Sequence, residues 1–412
     1  MKVLIIGSGG REHAIADAFS RSNKVHSIYV SPGNAGIARD FDCVDLDNHY
    51  QITDFCKTED IDLVFIGPEQ PIEAGLSDHL REQGINVFAP SRAAARLETS
   101  KAFAKALMGR YNIPTAKYAI IHDLHEAEIL IRDFAMPLVL KADGLAAGKG
   151  VIIAASYEEA LDACRGLLAQ KCGSSGVLAE EYLQGWEVSL FAITDSKDYQ
   201  CTLFAQDHKQ LLDNDLGPNT GGMGAYCPVK EAEAYRQAVE RDILEPTLRG
   251  MREENCPYSG ILYLGLMITK EGPKVIEFNC RLGDPETQAV LPLLRTDFSD
   301  LCFAVSKGEV AKLKLEWEDA MCLAVVLAAS GYPGTYAKGI KIDLKDTQSK
   351  IYYAGVEAKN GDLVSCGGRI LSLTAKAGNL ADAREIIYRD LHQSRTENLI
   401  YRKDIGLRNN TL

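Results

Sequence analysis

Residues 136–154 read Met136-Pro-Leu-Val-Leu-Lys-Ala-Asp-Gly-Leu-Ala-Ala-Gly-Lys-Gly-Val-Ile-Ile-Ala154: an apolar strand, a loop of glycine and lysine, and a second apolar strand. That pattern predicts a β-hairpin built to hold phosphate. Gly144, Gly148 and Gly150 lack a Cβ, which lets the backbone reach positive φ and bring several N–H groups up to an anion. Lys141 and Lys149 supply charge. A P-loop needs four residues between its glycines and Ser or Thr after the lysine; here three residues separate Gly144 from Gly148, and Gly150 follows Lys149. The phosphates would therefore lie under a β-flap and not on a helix N-terminus. Taken alone, the segment is equally an ordinary hairpin with solvated lysines.

A chain of 412 residues, 46% apolar and 25% charged, has room for two to four domains and a sizeable core. Its net charge of -12 argues against a nucleic-acid or anionic-membrane surface and leaves room for a local basic pocket. Small phosphorylated ligands fit that balance. Eleven cysteines, scattered singly with no Cys-x-x-Cys, suggest free thiols in a reducing compartment. The first strand is too short for a signal sequence, and the longest apolar run, 321–329, falls far short of the about 20 residues a membrane span requires. A cytoplasmic protein is expected.

The motif Gly7-Ser-Gly-Gly-Arg-Glu-His13 follows a buried strand and opens a helix, the start of a doubly wound α/β domain. Position 12, glycine in a dinucleotide fingerprint, is Glu12, which speaks against NAD. The N–H groups near Gly10, with Arg11 beside them, can hold one phosphate; a tight strand-to-helix turn explains the glycines equally well. Further strands at 27–30, 63–66 and 86–90 end in turns that place Asn34 and Glu69 at strand carboxyl ends, where ligands collect in such sheets. A helix is expected over 91–111, carrying Lys101. Residues 116–187 read as a small α/β unit with helices at 124–134 and 157–169. Its last strand, Val177-Leu-Ala-Glu180-Glu181-Tyr182-Leu183, followed by Glu187, can offer backbone groups to an adenine edge and carboxylates to ribose, or be a strand with a solvated acidic end.

The segment Gly217-Pro-Asn219-Thr220-Gly221-Gly-Met-Gly224 is too rich in turn residues to be expected as an interior strand. Its amides, with Asn219 and Thr220, suit a small polar substrate. One helix is expected over 232–253, then strands at 260–269 and 273–278. On the second, alternation puts Glu277, Asn279 and Arg281 on one face. A carboxylate and an amide oxygen suit Mg²⁺ on a polyphosphate, and the guanidinium then faces developing charge; a Glu277–Arg281 ion pair is the plainer alternative. From 321 onward, strands at 323–329 and 351–356, turns at 331–334 and 367–369, and a helix at 380–391 suggest a structural role only. His122 and His125 lack an acid or cysteine to complete a metal site.

Together these motifs resemble those of the ATP-grasp enzymes, and most closely the phosphoribosylamine–glycine ligase family, across essentially the whole chain. The resemblance rests on Gly7–His13 as quoted, Ser31-Pro-Gly-Asn-Ala-Gly36, the 141–150 loop, the 217–224 segment and Ile276-Glu-Phe-Asn-Cys-Arg281. It implies a mixed α/β (in parts α+β) ATP-grasp fold: an N-terminal doubly wound parallel-sheet domain (1–100), an ATP-grasp domain (101–320, flap subdomain about 116–187) and a β-rich C-terminal domain (321–412). It further implies a purine-biosynthetic ligase using ATP with Mg²⁺ or Mn²⁺ to join glycine to 5-phosphoribosylamine through glycyl phosphate, as a monomer or weak homodimer, without nucleic acid or membrane. Carried over, Lys101, Lys141, Gly144, Gly148, Lys149, Gly150, Glu180, Glu181, Leu183 and Glu187 would bind ATP, and Glu277 and Asn279 the metal. Gly10, Arg11, Glu12, Asn34, Glu69, Asn219, Thr220, Gly221 and Arg281 would bind the other substrates, with Arg281 and Lys141 catalytic. Two departures stand out, Gln210 in place of the family's Arg and Leu282 in place of its Phe. The strand before Glu277, Leu262-Tyr-Leu-Gly-Leu-Met267, also lacks the acid that often completes the metal site in the wider fold. Another ATP-grasp activity, carboxylating or formylating a phosphoribosyl substrate, is the alternative enzyme; a nucleotide-binding regulator is the non-enzymatic one.

Overall fold

The computed structural model describes residues 1–144, 150–169, 176–344, 347–395 and 397–407. Val3, Leu4 and Ile5 are fully buried, as a central parallel strand with both faces covered requires. Their strand, Lys2–Gly7, sits in the middle of five parallel strands in the order Asp42–Cys43, Ser27–Pro32, Lys2–Gly7, Leu63–Ile66, Val87–Phe88. The order changes direction at Lys2–Gly7, so the carboxyl ends of that strand and its neighbours open a crevice. Arg11 and Glu69 follow two of those ends.

The flap region is four antiparallel strands in the order Tyr118–Ile121, Val177–Glu181, Leu138–Ala142, Val151–Ala154. The glycine-loop hairpin forms as expected, with Leu138 opposite Ala154 and Lys141 opposite Val151. Helices Leu124–Leu130 and Tyr157–Ala169 pack behind it, burying Ile121, Ile131, Leu140, Cys164 and Leu167 in a small core drawn only from this region. Gly148 and Lys149 lie outside the described residues.

The middle sheet runs Tyr199–Cys201, Trp186–Thr194, Gly260–Thr269, Gly272–Asn279, all antiparallel. Trp186–Thr194 was not anticipated as a strand, because all its residues except Glu187 are buried and a strand covered on both faces shows no alternation. Two expected helices are broken. Ser100 ends Arg96–Thr99 and caps Lys101–Arg110, its hydroxyl accepting from Phe103 N at 3.2 Å. The 232–253 stretch passes through a 3₁₀ segment, an α turn and a π-helical turn at Glu240–Leu244 before the helix Glu245–Glu253. Pro246 accounts for the π turn, since it has no N–H for the carbonyl four residues back, at Asp242.

A third sheet mixes strands from distant parts of the chain: Gln206–Asp207, Gly224–Cys227, Met321–Ala329, Arg369–Ala377, Lys350–Tyr353. Gly224–Cys227 is thus a fully buried interior strand, contrary to the expectation for this glycine-dense segment. A Cβ on Gly224 would come within 2.6 Å of the Ala324 carbonyl oxygen, so the glycine is what lets the two backbones approach. Arg369–Ala377, likewise unanticipated, brings Arg369 from a supposed turn to the edge of the cleft. The ten cysteines among the described residues are all free, and no helix there is long and apolar enough to cross a membrane.

Candidate active site

The three sheets and the parallel domain enclose a cleft of about 580 Å³. Of the residues singled out in the sequence, Arg11, Glu69, Lys101, Lys141, Gly144, Gly150, Glu180, Glu181, Leu183, Glu187, Asn219, Thr220, Gly221, Glu277, Asn279 and Arg281 line it. Residues up to 270 positions apart in the chain thus meet in one place.

One end is built from lysines. Glu180, buried near the end of its strand, takes Lys141 Nζ at 2.6 Å on one oxygen and Lys105 on the other. Burial pushes the Glu180 carboxyl up, but the two ammonium groups outweigh it and its pKa is lowered. Lys101 donates from Nζ to Gly144 O at 2.7 Å, while its backbone N–H donates to Asp143 Oδ1 at 2.7 Å. The flap hairpin is so tied to the start of the helix Lys101–Arg110. Burial lowers the pKa of both Lys101 and Lys105 despite nearby carboxylates. Lys105 was missed in the sequence, yet it stands four residues after Lys101, on the same helical face. Lys209, also missed, reaches Glu187 Oε2 at 3.0 Å; burial opposes its charge, but Glu187 and Asp207 raise its pKa.

The other end is built from arginines, each matched by acids. Arg281 donates from Nε to Glu69 Oε2 at 3.1 Å and from its second terminal nitrogen to Glu98 Oε1 at 2.8 Å. Burial disfavours its charge, but Glu98 and Glu69 overcome this and raise its pKa. The expected alternative partner for Arg281, Glu277, is not the acid it contacts. Arg369 donates to Asp284 Oδ2 at 3.0 Å and to the Gly221 carbonyl at 2.7 Å. Arg11 lies against Glu12 and the Leu282 carbonyl, at 2.6 and 3.2 Å. Glu98, Asp284 and Arg369 carried no sequence signal, because each acquires its partner only through tertiary contact.

Between the two ends stand Glu277 and Asn279. Burial pushes Glu277 up, but Lys209, Lys141 and Lys101 lower its pKa, so it is held as carboxylate. With its NH₂ turned to donate to Phe278 O at 3.2 Å and Glu98 Oε1 at 3.0 Å, the Asn279 amide presents its oxygen to Glu277 Oε1 across 3.5 Å. Two oxygens facing each other at that spacing suit a small hard cation that completes its shell with water and phosphate oxygens. The strand Gly260–Thr269 contributes Tyr263 and Met267 to the lining and no acid, as its sequence indicates. Nearby, Glu286 accepts from Ser189 Oγ at 3.1 Å. Gln210 lies on the lining with Nε2 3.3 Å from Asn219 Oδ1, and Leu282 is buried.

Three expected substrate residues do not line the cleft. Glu12 turns inward, accepting from Gly9 N at 2.7 Å and from Arg11, under Gly7 and Gly67 where any Cβ would strike it. Asn34 is used up by the turn it makes: Oδ1 accepts from Gly36 and Ile37 N at 2.8 and 2.9 Å, and Nδ2 donates to Ser8 and Tyr353 O. Gly10 packs within 2.9 Å, from its would-be Cβ, of Gln288 Nε2. The contacts of Glu12 are those of a helix cap, and those of Asn34 combine a turn with one long-range bond to Tyr353 O.

A hairpin sheet over an antiparallel sheet, with lysines, a carboxylate–amide pair and an arginine between them, is the arrangement of an ATP-grasp enzyme. The biotin carboxylase of Campylobacter jejuni shares this fold, with a TM-score of 0.72 at 15% identity over 97% of this chain and 92% of that one. More narrowly, the chain belongs to the phosphoribosylglycinamide synthetase family, whose N domain matches residues 1–98, ATP-grasp (A) domain 99–287 and C domain 322–408. It is 46% identical over 417 residues to the phosphoribosylamine–glycine ligase of Rhizobium meliloti, covering 99% of this chain and 98% of that one. The relative of the same name from Halalkalibacterium halodurans is 45% identical over 416 residues, 98% and 96% covered. The crystal structure of the Thermotoga maritima phosphoribosylamine–glycine ligase superposes with a TM-score of 0.88 at 35% identity, over 98% of this chain and all of that one.

Proposed function

We propose that this chain joins glycine to 5-phosphoribosylamine, converting ATP to ADP and phosphate through glycyl phosphate, as a step of purine biosynthesis. The observation that carries this reading is the placement of Glu277 and Asn279 between the lysine end and Arg281. Lys101, Lys105 and Lys141 would neutralise the polyphosphate, and Glu180, Glu181, Leu183 and Glu187 would border the nucleoside. Glu277 and Asn279 would hold Mg²⁺ or Mn²⁺, which when bound supplies charge stabilisation at the transferring phosphoryl group. Arg281, fixed by Glu69 and Glu98, would face the same group without having to reorganise. The glycine carboxylate attacks the γ-phosphorus and ADP leaves; the ribosylamine nitrogen then attacks the acyl carbon and phosphate leaves. Arg11, Glu69, Asn219, Thr220 and Gly221 would hold the acceptor, and the flap would keep water from the acyl phosphate.

The test uses glycine labelled with ¹⁸O in its carboxylate. One label must appear in inorganic phosphate, with ADP release dependent on both glycine and phosphoribosylamine. AMP and pyrophosphate, or unlabelled phosphate, would overturn the mechanism. We place the enzyme in the cytoplasm as a monomer or weak dimer, which sedimentation across a concentration range checks.

A further inference from the structure

The hairpin Gln210–Leu212 with Leu216–Asn219 carries or adjoins Lys209, Asn219 and Thr220, all on the cleft wall. Its two strands pair with each other and with no further strand among the described residues. A two-stranded hairpin is marginal in water, and Leu212 and Leu216 at its tip are exposed, so it does not hold its place by burying apolar surface. On the cleft side it is well tied: Thr220 donates from N and Oγ1 to Lys209 O at 2.8 and 2.7 Å.

On its outer side it is held by the end of the chain. Arg402, the bulkiest fully buried side chain among the described residues, donates to Gln210 O at 3.1 Å and Asp215 Oδ1 at 2.9 Å. The same guanidinium makes a fork with Asp404, at 2.7 and 2.6 Å, and Asp404 Oδ2 accepts from Asn214 N at 2.8 Å. Lys403 N donates to Asp213 Oδ1 at 2.7 Å. These bonds grip the turn where Asn214 and Asp215 both have positive φ, 58° and 55°, a conformation that needs outside support in residues other than glycine. The tail is itself anchored to the helix Leu380–Gln393, since Tyr388 Oη and Arg384 donate to the carbonyls of Arg402 and Lys403 at 2.8 Å. A continuous set of hydrogen bonds therefore runs from the C-terminal helix, through 402–404, to the wall of the cleft.

We propose that Arg402 and Asp404 are positioning residues for the ligation: they fix the hairpin so that Lys209, Asn219 and Thr220 meet the reacting ends of the substrates. The inference rests on the ligase reading above. Neither residue lines the cleft, and the fork, not the charge alone, does the positioning.

The test compares Arg402→Lys and Asp404→Asn with the unaltered full-length chain, in three measurements. Hydrogen exchange of amides 211–216 should quicken by at least about tenfold. The kcat should fall about tenfold, as expected when reacting groups are displaced by a fraction of an ångström. Binding of MgADP should stay within about twofold, because the groups proposed to bind it lie mostly on other elements. Unchanged exchange overturns the proposal, and so does quicker exchange with unchanged kcat. A parallel loss of kcat, MgADP affinity and thermal stability would assign the residues a general structural role and overturn it too. Exchange needs no substrate, so its outcome is separate from any failure of the unaltered chain to form the glycine amide. Should Arg402→Lys fail to fold, Asp404→Asn still removes one arm of the fork with almost no change of shape.

Discussion

The two ends of the cleft carry similar positive charge and treat it in opposite ways. At the lysine end, Lys105 and Lys141 share one acid and burial lowers the pKa of Lys101 and Lys105, while Lys209, raised by Glu187 and Asp207, is the exception there. At the arginine end, Arg281 has two acids and Arg369 one, and Arg281 is raised. Under-compensated buried charge calls for an anion from outside; compensated charge makes a rigid template that is already satisfied. The lysine end is thus suited to gain its stability from bound polyphosphate, and the arginine end to orient what binds.

The largest expected effect lies between the ends. Glu277→Gln should lower turnover roughly 10³-fold, the scale of losing a principal charge-stabilising group, while nucleotide binding stays measurable because the lysines remain. Near-normal turnover at saturating Mg²⁺ would remove the metal assignment. Next, Lys141→Met should weaken ADP binding by about 10²-fold, whereas Arg281→Lys should leave ADP binding nearly intact and cut turnover by about 10²-fold. Equal effects on binding in the two variants, measured by calorimetry, would erase the distinction between the ends.

The ends also differ with pH. A bound polyphosphate lifts the depressed Lys101 and Lys105 back towards the ordinary 10.5, so nucleotide binding should take up protons at alkaline pH. Affinity should then decline as pH climbs through their folded-state values, and titration in two buffers of different ionisation enthalpy reads the sign. Proton release on binding would contradict it. The smallest effect concerns a residue outside both ends: Asn34→Ala should cost about 2 kcal/mol of stability by urea unfolding, through its lost turn bonds. A raised KM for phosphoribosylamine without that loss would return Asn34 to the substrate.

What was legible in the sequence was whatever depends on neighbours along the chain. The glycine-loop hairpin, the helix Tyr157–Ala169 and the Glu277/Asn279/Arg281 face follow from local spacing, and each forms as read. Motif resemblance extended this to the family and to sixteen of the residues that line the cleft. What could not be read was the second partner. Glu98 matters because Arg281 and Cys280 N reach it across more than 180 residues, and Arg369 because a distant strand delivers it to Asp284. Glu12 and Asn34, expected at the substrate, have contacts no spacing could show: in this structure they accept from backbone N–H groups, and neither lines the cleft. Strands buried on both faces, such as Trp186–Thr194, escaped because burial erases alternation.

The sheet that mixes distant strands also sets a timetable for the growing chain. Gly224–Cys227 leaves the ribosome well before Met321–Ala329, the strand it must pair with, and the intervening 93 residues (228–320) take between about 5 and 20 seconds to make. Through that interval its edge stays open, with backbone groups ready to accept a foreign strand. The part of the cleft wall that Arg369 supplies waits longer still, until the strand Arg369–Ala377 has emerged. A nascent chain cut short at residue 320 would lack Met321–Ala329 and Arg369–Ala377, and with them Arg369 at the cleft, so its unpaired edge makes it a client for chaperones.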